Sequence, residues 1–150
     1  MSATILIESA TEELLLRMGY PAVVRAREVG AVLNVEVEVR QGAGALIGTG
    51  GEGLNALEGI IRRIARKQTP QGTRIMADVN GYRREKATAL REETREAADF
   101  VKKTAKPHAF APMSGRERRI IHLELASRAD LITESAGEGS ARHVVIKVAQ

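Results

Sequence analysis

The 150-residue sequence contains no cysteine. Disulfide bonds and thiolate metal sites are therefore excluded, and the composition gives no sign of an oxidising compartment. The sequence also lacks any apolar run near the roughly 20 residues that a membrane-spanning helix needs. Its N-terminal stretch contains acidic residues and no basic leader, unlike a signal peptide. We expect a cytoplasmic protein without direct membrane insertion.

Aromatic residues are scarce, with two Phe, two Tyr and no Trp. A broad aromatic surface on which bases could stack is therefore not expected. Basic residues are unevenly placed: residues 62–106 contain thirteen Lys and Arg against six Asp and Glu, whereas residues 1–61 contain four against eight. This distribution fits a polyanionic partner held by charge and main chain, although solvated basic helices are common in proteins of other functions.

Hydrophobic periodicity predicts two small modules of the α+β class, at residues 1–80 and 81–150. The first has the order α-β-β-α-α-β and the second the order α-β-α-β-β. The predicted helices span residues 8–18, 52–67, 82–106 and 116–126, and the predicted strands span residues 21–28, 32–39, 73–79, 108–113, 131–135 and 143–148. Residues 42–47 are predicted to form either a strand end or a short helix. In helix 8–18 the apolar residues at helical spacing are Ala10, Leu14, Leu15 and Met18, and in helix 52–67 they are Leu54, Leu57, Ile61 and Ile64. The alternation in strand 32–39 predicts that Val35, Val37 and Val39 face inward.

Four glycines lie within the six-residue segment GTGGEG, residues 48–53. Read as G-x-G-x-x-G, the segment is a dinucleotide fingerprint, which requires a buried strand ending at Gly48 and an acid about 20 residues further on. Asp78 is a candidate acid, but residues 45–47 are too short for that strand. Read as Gly48-x-x-Gly51, the segment is the loop by which a KH domain holds a nucleic-acid backbone, with helix N-terminal amides beside the phosphates. A third interpretation is a plain turn between helices.

Longer stretches carry a more specific resemblance. LIGTGGEGLNALEGIIRRIARK resembles the corresponding segment of the bacterial Jag (KhpB) family, also called SpoIIIJ-associated proteins. DVNGYRREKATALREETREAADFVKKTAKPHAFAPMSGRERRIIHLELA and TESAGEGSARHVVIKV resemble the second domain of that family, a single-stranded nucleic-acid-binding module named R-three-H. The resemblance covers roughly residues 5–148. It implies a type II KH-like domain followed by an R-three-H domain.

The motif that names the second module runs here from Arg118 to His122. On a helix these side chains lie on one face, so that the guanidinium and the imidazole can reach one phosphate or one unstacked base. Without the resemblance, the same pair would be read as an exposed ion pair and a histidine at the edge of the core. The RNA-binding residues implied by the resemblance are Gly48, Thr49, Gly50, Gly51, Arg118, His122 and Arg142.

The sequence departs from the family pattern in three places. Thr49-Gly50 replaces a Lys-Arg-like pair inside the loop, which keeps close approach but loses charge and predicts weak binding by the first module. Arg142-His143 replaces an Arg-Arg pair before the last strand. No counterpart of the family's N-terminal Jag domain is recognised, which places any membrane-proximal role in doubt.

No catalytic, cofactor or metal site is indicated, because His108, His122 and His143 lack metal-ligand spacing and the serines lack the flanks of a nucleophile elbow. We expect a non-catalytic protein whose modules together hold single-stranded RNA, or single-stranded DNA. The resemblance implies a post-transcriptional regulator or RNA chaperone. One alternative is an interaction module that pairs with a KH-domain partner protein or a second copy of itself, and a further one is a dinucleotide-binding enzyme.

Overall fold

The computed structural model describes residues 2–150. The protein is of the predicted α+β class, and its helices and strands follow one another in the predicted order. The chain divides into two compact units, Met1–Arg83 and Arg84–Gln150, close to the boundary expected between residues 80 and 81. No helix of the described residues is long and apolar enough to cross a membrane.

The first unit is a three-stranded sheet with helices. Strand β1 runs antiparallel to β2, and β3 runs parallel to β2, in the spatial order β1-β2-β3. The elements of this unit are α1 (Ala3–Arg17), β1 (Ala22–Val29), β2 (Val32–Val39), α2 (Ala43–Ile47), α3 (Glu52–Ala65) and β3 (Arg74–Val79).

The core of the first unit follows the sequence pattern closely in β2 and α3. Leu33, Val35, Val37 and Val39 are buried on one face of β2, as its alternation predicts. Helix α3 buries Leu54, Leu57 and Ile61 at helical spacing. It ends at Ala65, two residues earlier than predicted, where the Gln68 N–H donates to the Ala65 carbonyl in a tighter bond three residues back.

Helix α1 differs from the prediction in its start and in its buried face. It begins at Ala3 and buries Ile7, Thr11 and Leu15, which are spaced four apart. Met18, predicted to lie on the apolar face, is 47% exposed. Residues 14–18 contain three leucines and one methionine, so that several apolar faces are possible for this helix. Contact with the sheet selects the face that contains Ile7 and Leu15.

At both edges of the first sheet, side chains form hydrogen bonds with outward-facing main-chain groups. On β1, the backbone N–H of Val24 donates to Glu12 Oε1 at 2.9 Å, and that of Ala26 donates to Glu8 Oε1 at 2.7 Å. On β3, the N–H of Ala77 donates to the buried carboxylate of Glu58 at 3.0 Å, and its carbonyl accepts from Arg83 Nη1. The Arg83 guanidinium also pairs with Glu58, so that this buried carboxylate is compensated.

The second unit packs a long helix against a second three-stranded sheet. Its elements are α4 (Tyr82–Thr104), whose first turn belongs to the first unit, then β4 (His108–Ala109), α5 (Gly115–Glu124), β5 (Leu131–Ala136) and β6 (His143–Val148). The sheet is antiparallel with the order β4-β6-β5. Its core residues are Leu90, Ala97, Ala98, Val101, Phe110, Ile121, Leu125, Leu131, Val144 and Ile146.

The segment 108–113, predicted to be extended, forms a strand only over its first two residues. It nevertheless continues beside β6, because Phe110 N–H donates to the Val144 carbonyl at 2.9 Å and Met113 N–H donates to the Arg142 carbonyl at 3.1 Å. Pro112 has no N–H to add to this ladder. The segment therefore places Met113 beside Arg142, the residue that precedes β6.

Candidate nucleic-acid interface

The start of α5 is fixed by a capping box. The Ser114 hydroxyl accepts from the Glu117 N–H at 3.3 Å, and the Ser114 N–H donates to Glu117 Oε2 at 2.8 Å. This cap places Arg118 in the first turn of the helix, where its Nη1 donates to the Met113 carbonyl at 2.7 Å. The guanidinium is thus held at the beginning of α5, with its other N–H groups available to a ligand.

His122 lies one turn further along α5, on the face of Arg118, as predicted. Its Nδ1 is 2.7 Å from Thr133 Oγ1 and its Nε2 is 3.2 Å from Ser135 Oγ, both on β5. The half-buried ring is therefore oriented by hydroxyl groups at both nitrogens. A ligand at this face would meet the edge of a fixed imidazole and the exposed Ser135 hydroxyl.

Arg142 joins Arg118 through Met113. The Met113 N–H donates to the Arg142 carbonyl, and the Met113 carbonyl accepts from the Arg118 guanidinium. The structure therefore brings Arg118, His122 and Arg142 to one region of the second unit. Sequence reasoning missed Thr133 and Ser135, although their two-residue spacing in β5 indicated a shared polar face.

Arg118 and Arg142 differ from several other cations of the unit in having no acidic partner among the described residues. Within residues 2–150, no carboxylate pairs with Arg118, Arg119 or Arg142. Several other cations of the unit are neutralised locally, in the pairs Lys86–Glu117, Arg95–Glu124, Arg128–Asp130 and Lys147–Glu134. The hydrogen bond from Arg128 holds the pKa of Asp130 far below its ordinary value. The Arg118 guanidinium beside the Met113 carbonyl thus keeps its positive charge uncompensated, and Arg142, whose backbone adjoins Met113, is a second arginine without an acidic partner.

The glycine loop of the first unit connects α2 to α3. Gly48, Gly50 and Gly51 all have positive φ, at 73°, 60° and 85°. A Cβ on Gly48 would lie 2.9 Å from the Gly53 nitrogen, and a Cβ on Gly53 would lie 2.2 Å from the Leu46 carbonyl oxygen. The loop therefore needs glycine for its backbone shape and for the close packing of its two helices.

Thr49 and Gly50 are the exposed residues of this loop, whereas Gly51 is buried beside the Tyr82 ring. The Gly51 N–H is already used, since it donates to the Gly48 carbonyl at 3.2 Å. The loop therefore presents the main chain of residues 49 and 50 to a ligand. Sequence reasoning did not single out Gly53, whose role is packing.

The basic residues of α3 are not at this loop. Arg62 and Arg63 lie in the last turn of α3, and the first turn, next to the loop, contains Glu52. A 14-residue helix is about 20 Å long. The basic residues of α3 therefore lie at the end of the helix away from the loop, and the loop itself has an acidic neighbour. A cation that does reach the start of α3 is Arg83, whose Nη2 donates to Asn55 Oδ1 at 2.6 Å.

The dinucleotide interpretation is wrong. Residues 43–47 form helix α2 in place of the strand that this interpretation requires. Asp78, the candidate ribose ligand, accepts from the backbone N–H groups of Val79 and Arg83, each at 2.9 Å. Its carboxylate therefore caps the start of α4.

Comparison with known families assigns the second unit to a class. Residues 88–148 match the R-three-H domain, a nucleic-acid-binding module. The predicted R-three-H domain is thereby confirmed, and it contains Arg118, His122 and Arg142.

The chain is also similar to curated bacterial proteins named RNA-binding protein KhpB. It is 37% identical over 106 residues to that of Bacillus subtilis, an alignment that covers 69% of this chain and 51% of the relative. It is 32% identical over 105 residues to that of Clostridium symbiosum, covering 70% of this chain and 47% of the relative. The chain thus spans about half the length of these relatives.

Proposed function

We propose that the chain is a non-catalytic member of the Jag/KhpB family that binds single-stranded RNA, with a type II KH-like domain at residues 1–80 and an R-three-H domain at residues 81–150. The observation that carries the proposal is that the Arg118 guanidinium and the Arg142 backbone both bond to Met113, and that neither arginine has an acidic partner among the described residues. The names of the relatives support RNA as the ligand. A cytoplasmic post-transcriptional regulator or RNA chaperone is the role that fits.

In the R-three-H domain, the proposed contacts are charge-assisted. The guanidinium groups of Arg118 and Arg142 bind backbone phosphates, for which their planar N–H forks are suited. The Ser135 hydroxyl and the edge of the fixed His122 ring contact the adjoining sugar or base. None of these contacts depends on base identity, so that this set alone gives affinity without strong sequence preference.

In the KH-like domain, the proposed contact is made by main chain. The exposed backbone at Thr49 and Gly50 approaches a phosphate, with Gly48 and Gly51 giving the loop its shape. The loop brings no cation, and Glu52 opposes a phosphate electrostatically. This contact is therefore the weaker of the two, and single-stranded DNA, which has the same phosphates, is an acceptable ligand for both.

The test is the double variant R118A/R142A, measured by fluorescence anisotropy with a labelled single-stranded RNA at several salt concentrations. We expect affinity to fall about tenfold or more, and the slope of log K against log salt to shrink by about 0.7 for each lost phosphate. R95A/K147A is the matched control, because it removes the same charge from cations that already pair with Glu124 and Glu134. Equal affinities of the two double variants would refute the proposal.

A second candidate function for the first unit is protein interaction, with a KH-domain partner protein or a second copy of the chain. It is favoured by the absence of a cation in the loop and by exposed apolar side chains on and after α1, namely Ile5, Leu16 and Met18. Sedimentation of the purified chain distinguishes the options for self-association: a monomer mass at all concentrations contradicts the second copy as the partner.

A further inference from the structure

A groove of about 240 Å³ lies in the second unit, between α4 and the segment 110–113. One wall is apolar and is formed by Leu90, Phe110, Pro112 and Met113. The rim is polar and carries Lys86, Glu93 and Glu117. These residues are distinct from Arg118 and Arg142, the proposed phosphate contacts.

The groove adjoins Arg118 and Arg142 through one residue. Met113 lines the groove, while its backbone contacts both the Arg118 guanidinium at 2.7 Å and the Arg142 carbonyl at 3.1 Å. A nucleotide whose phosphate contacts Arg118 is therefore separated from the mouth of the groove by one residue, Met113. The Arg118 guanidinium and the groove are therefore adjacent at Met113.

The apolar wall is held in place before any ligand arrives. The Phe110 ring meets His108 edge-on, with centroids 4.8 Å apart at 84°, and its backbone N–H bonds to the Val144 carbonyl. Glu117 is fixed by the capping box and by an ion pair with Lys86 at 2.8 Å. A groove with fixed walls loses little entropy when it is filled.

We propose that this groove receives one unstacked base of the strand whose phosphates contact Arg118 and Arg142; this inference rests on the proposed function. A base is a flat, largely apolar ring with polar edges, which matches an apolar wall with a polar rim. The volume is below the range of about 300 Å³ upward that drug-sized ligands need, and so suits a single base.

The rim also predicts which bases fit. The carboxylate of Glu93 is a hydrogen-bond acceptor when ionised, and it matches the exocyclic amino group of cytosine, whereas both oxygens of Glu117 already bond within the protein. Uracil has no such group and presents a carbonyl oxygen in its place. The groove therefore adds to the binding of the domain a preference for cytosine over uracil.

The experiment fills the groove from an exposed position. Ala89 lies on α4 at the groove and is exposed, so that A89F places a ring in the groove without changing the core. T88F is the matched control, because Thr88 is the exposed neighbour on the same helix and does not line the groove. Anisotropy is measured with labelled oligocytidine and oligouridine of about ten nucleotides, and thermal melts establish that both variants are folded.

We expect the unaltered protein and T88F to prefer oligocytidine, and A89F to bind it about tenfold more weakly, close to its affinity for oligouridine. A second variant, E93Q, keeps the volume of the groove and removes one carboxylate, and we expect a smaller preference for cytosine. If A89F binds oligocytidine as tightly as T88F while R118A/R142A binds weakly, the base site is wrong and RNA binding stands. If all these variants bind alike, the proposed function fails as well.

Discussion

The two candidate RNA contacts of this chain differ in how they are built. The glycine loop offers main chain at Thr49 and Gly50, with an acidic neighbour and no cation. The second unit offers Arg118, whose guanidinium bonds to Met113, and Arg142, whose backbone bonds to Met113, both without acidic partners. A loop can therefore have the backbone shape for holding phosphate without the charge that makes the contact strong. Shape and charge are separable, and substitutions can test each alone.

The largest effect on stability is expected at Gly53, because the shape of the loop depends there on the tight packing of α2 against α3. G53A places a Cβ 2.2 Å from the Leu46 carbonyl oxygen, so that α2 and α3 must separate. We expect a loss of about 3 kcal/mol in the free energy of unfolding, measured by urea denaturation. G59A is the control within the same helix: a Cβ there meets nothing within 4 Å, and the change should stabilise the protein by about 0.5 kcal/mol. If G53A is as stable as G59A, the close packing does not determine the loop.

A smaller effect is expected from adding charge to the loop without altering its shape. G50D places a carboxylate in open space at a left-handed position that Asp and Asn tolerate. We expect RNA affinity to fall about threefold to tenfold by like-charge repulsion, less than in R118A/R142A, with a melting temperature equal to that of G50N. G50N is the neutral control of the same size. A loss in G50D as large as that of the arginine variant would reverse the ranking of the two contacts.

The smallest effect concerns the ion pair at the rim of the groove. Burial alone would raise the pKa of Glu117, but the hydrogen bonds from Lys86 and Ser114 outweigh it and lower the pKa below the ordinary 4.5. A lowered folded-state pKa means that the ionised group stabilises the fold above that ordinary value and loses this contribution as the pH falls below it. E117Q keeps a side chain compatible with the capping box and should cost about 0.5 kcal/mol at pH 7, and less at pH near 3. Thermal melts at the two pH values check this, and a pH-independent difference would contradict it.

Much of the fold followed from local pattern. The alternation in β2 and the spacing of Leu54, Leu57 and Ile61 in α3 predicted their buried faces correctly. In α1 several apolar faces were available, and the choice of Ile7, Thr11 and Leu15 is made by contact with the sheet. Local periodicity does not contain that contact.

The site shows the same limit. The helical spacing of Arg118 and His122 was readable in the sequence, and so was a loop that needs glycine. The hydroxyl partners of His122 on β5 and the meeting of Arg118 with Arg142 depend on how distant segments pair. The absence of acidic partners is likewise a property of tertiary structure, because the chain has nearly as many acids as bases overall. Charge counting alone could not have distinguished the two contacts.

The carboxylates at the edges of the first sheet restrict how that unit can meet another protein. Glu8 and Glu12 occupy outward N–H groups at the centre of β1, and Glu58 with Arg83 occupies both outward groups of Ala77 on β3. A foreign strand would find no free main-chain ladder to join at these positions. Addition of a strand to either edge is therefore opposed at these positions, which leaves the helices and the solvent-exposed sheet face as the surfaces where another protein can dock.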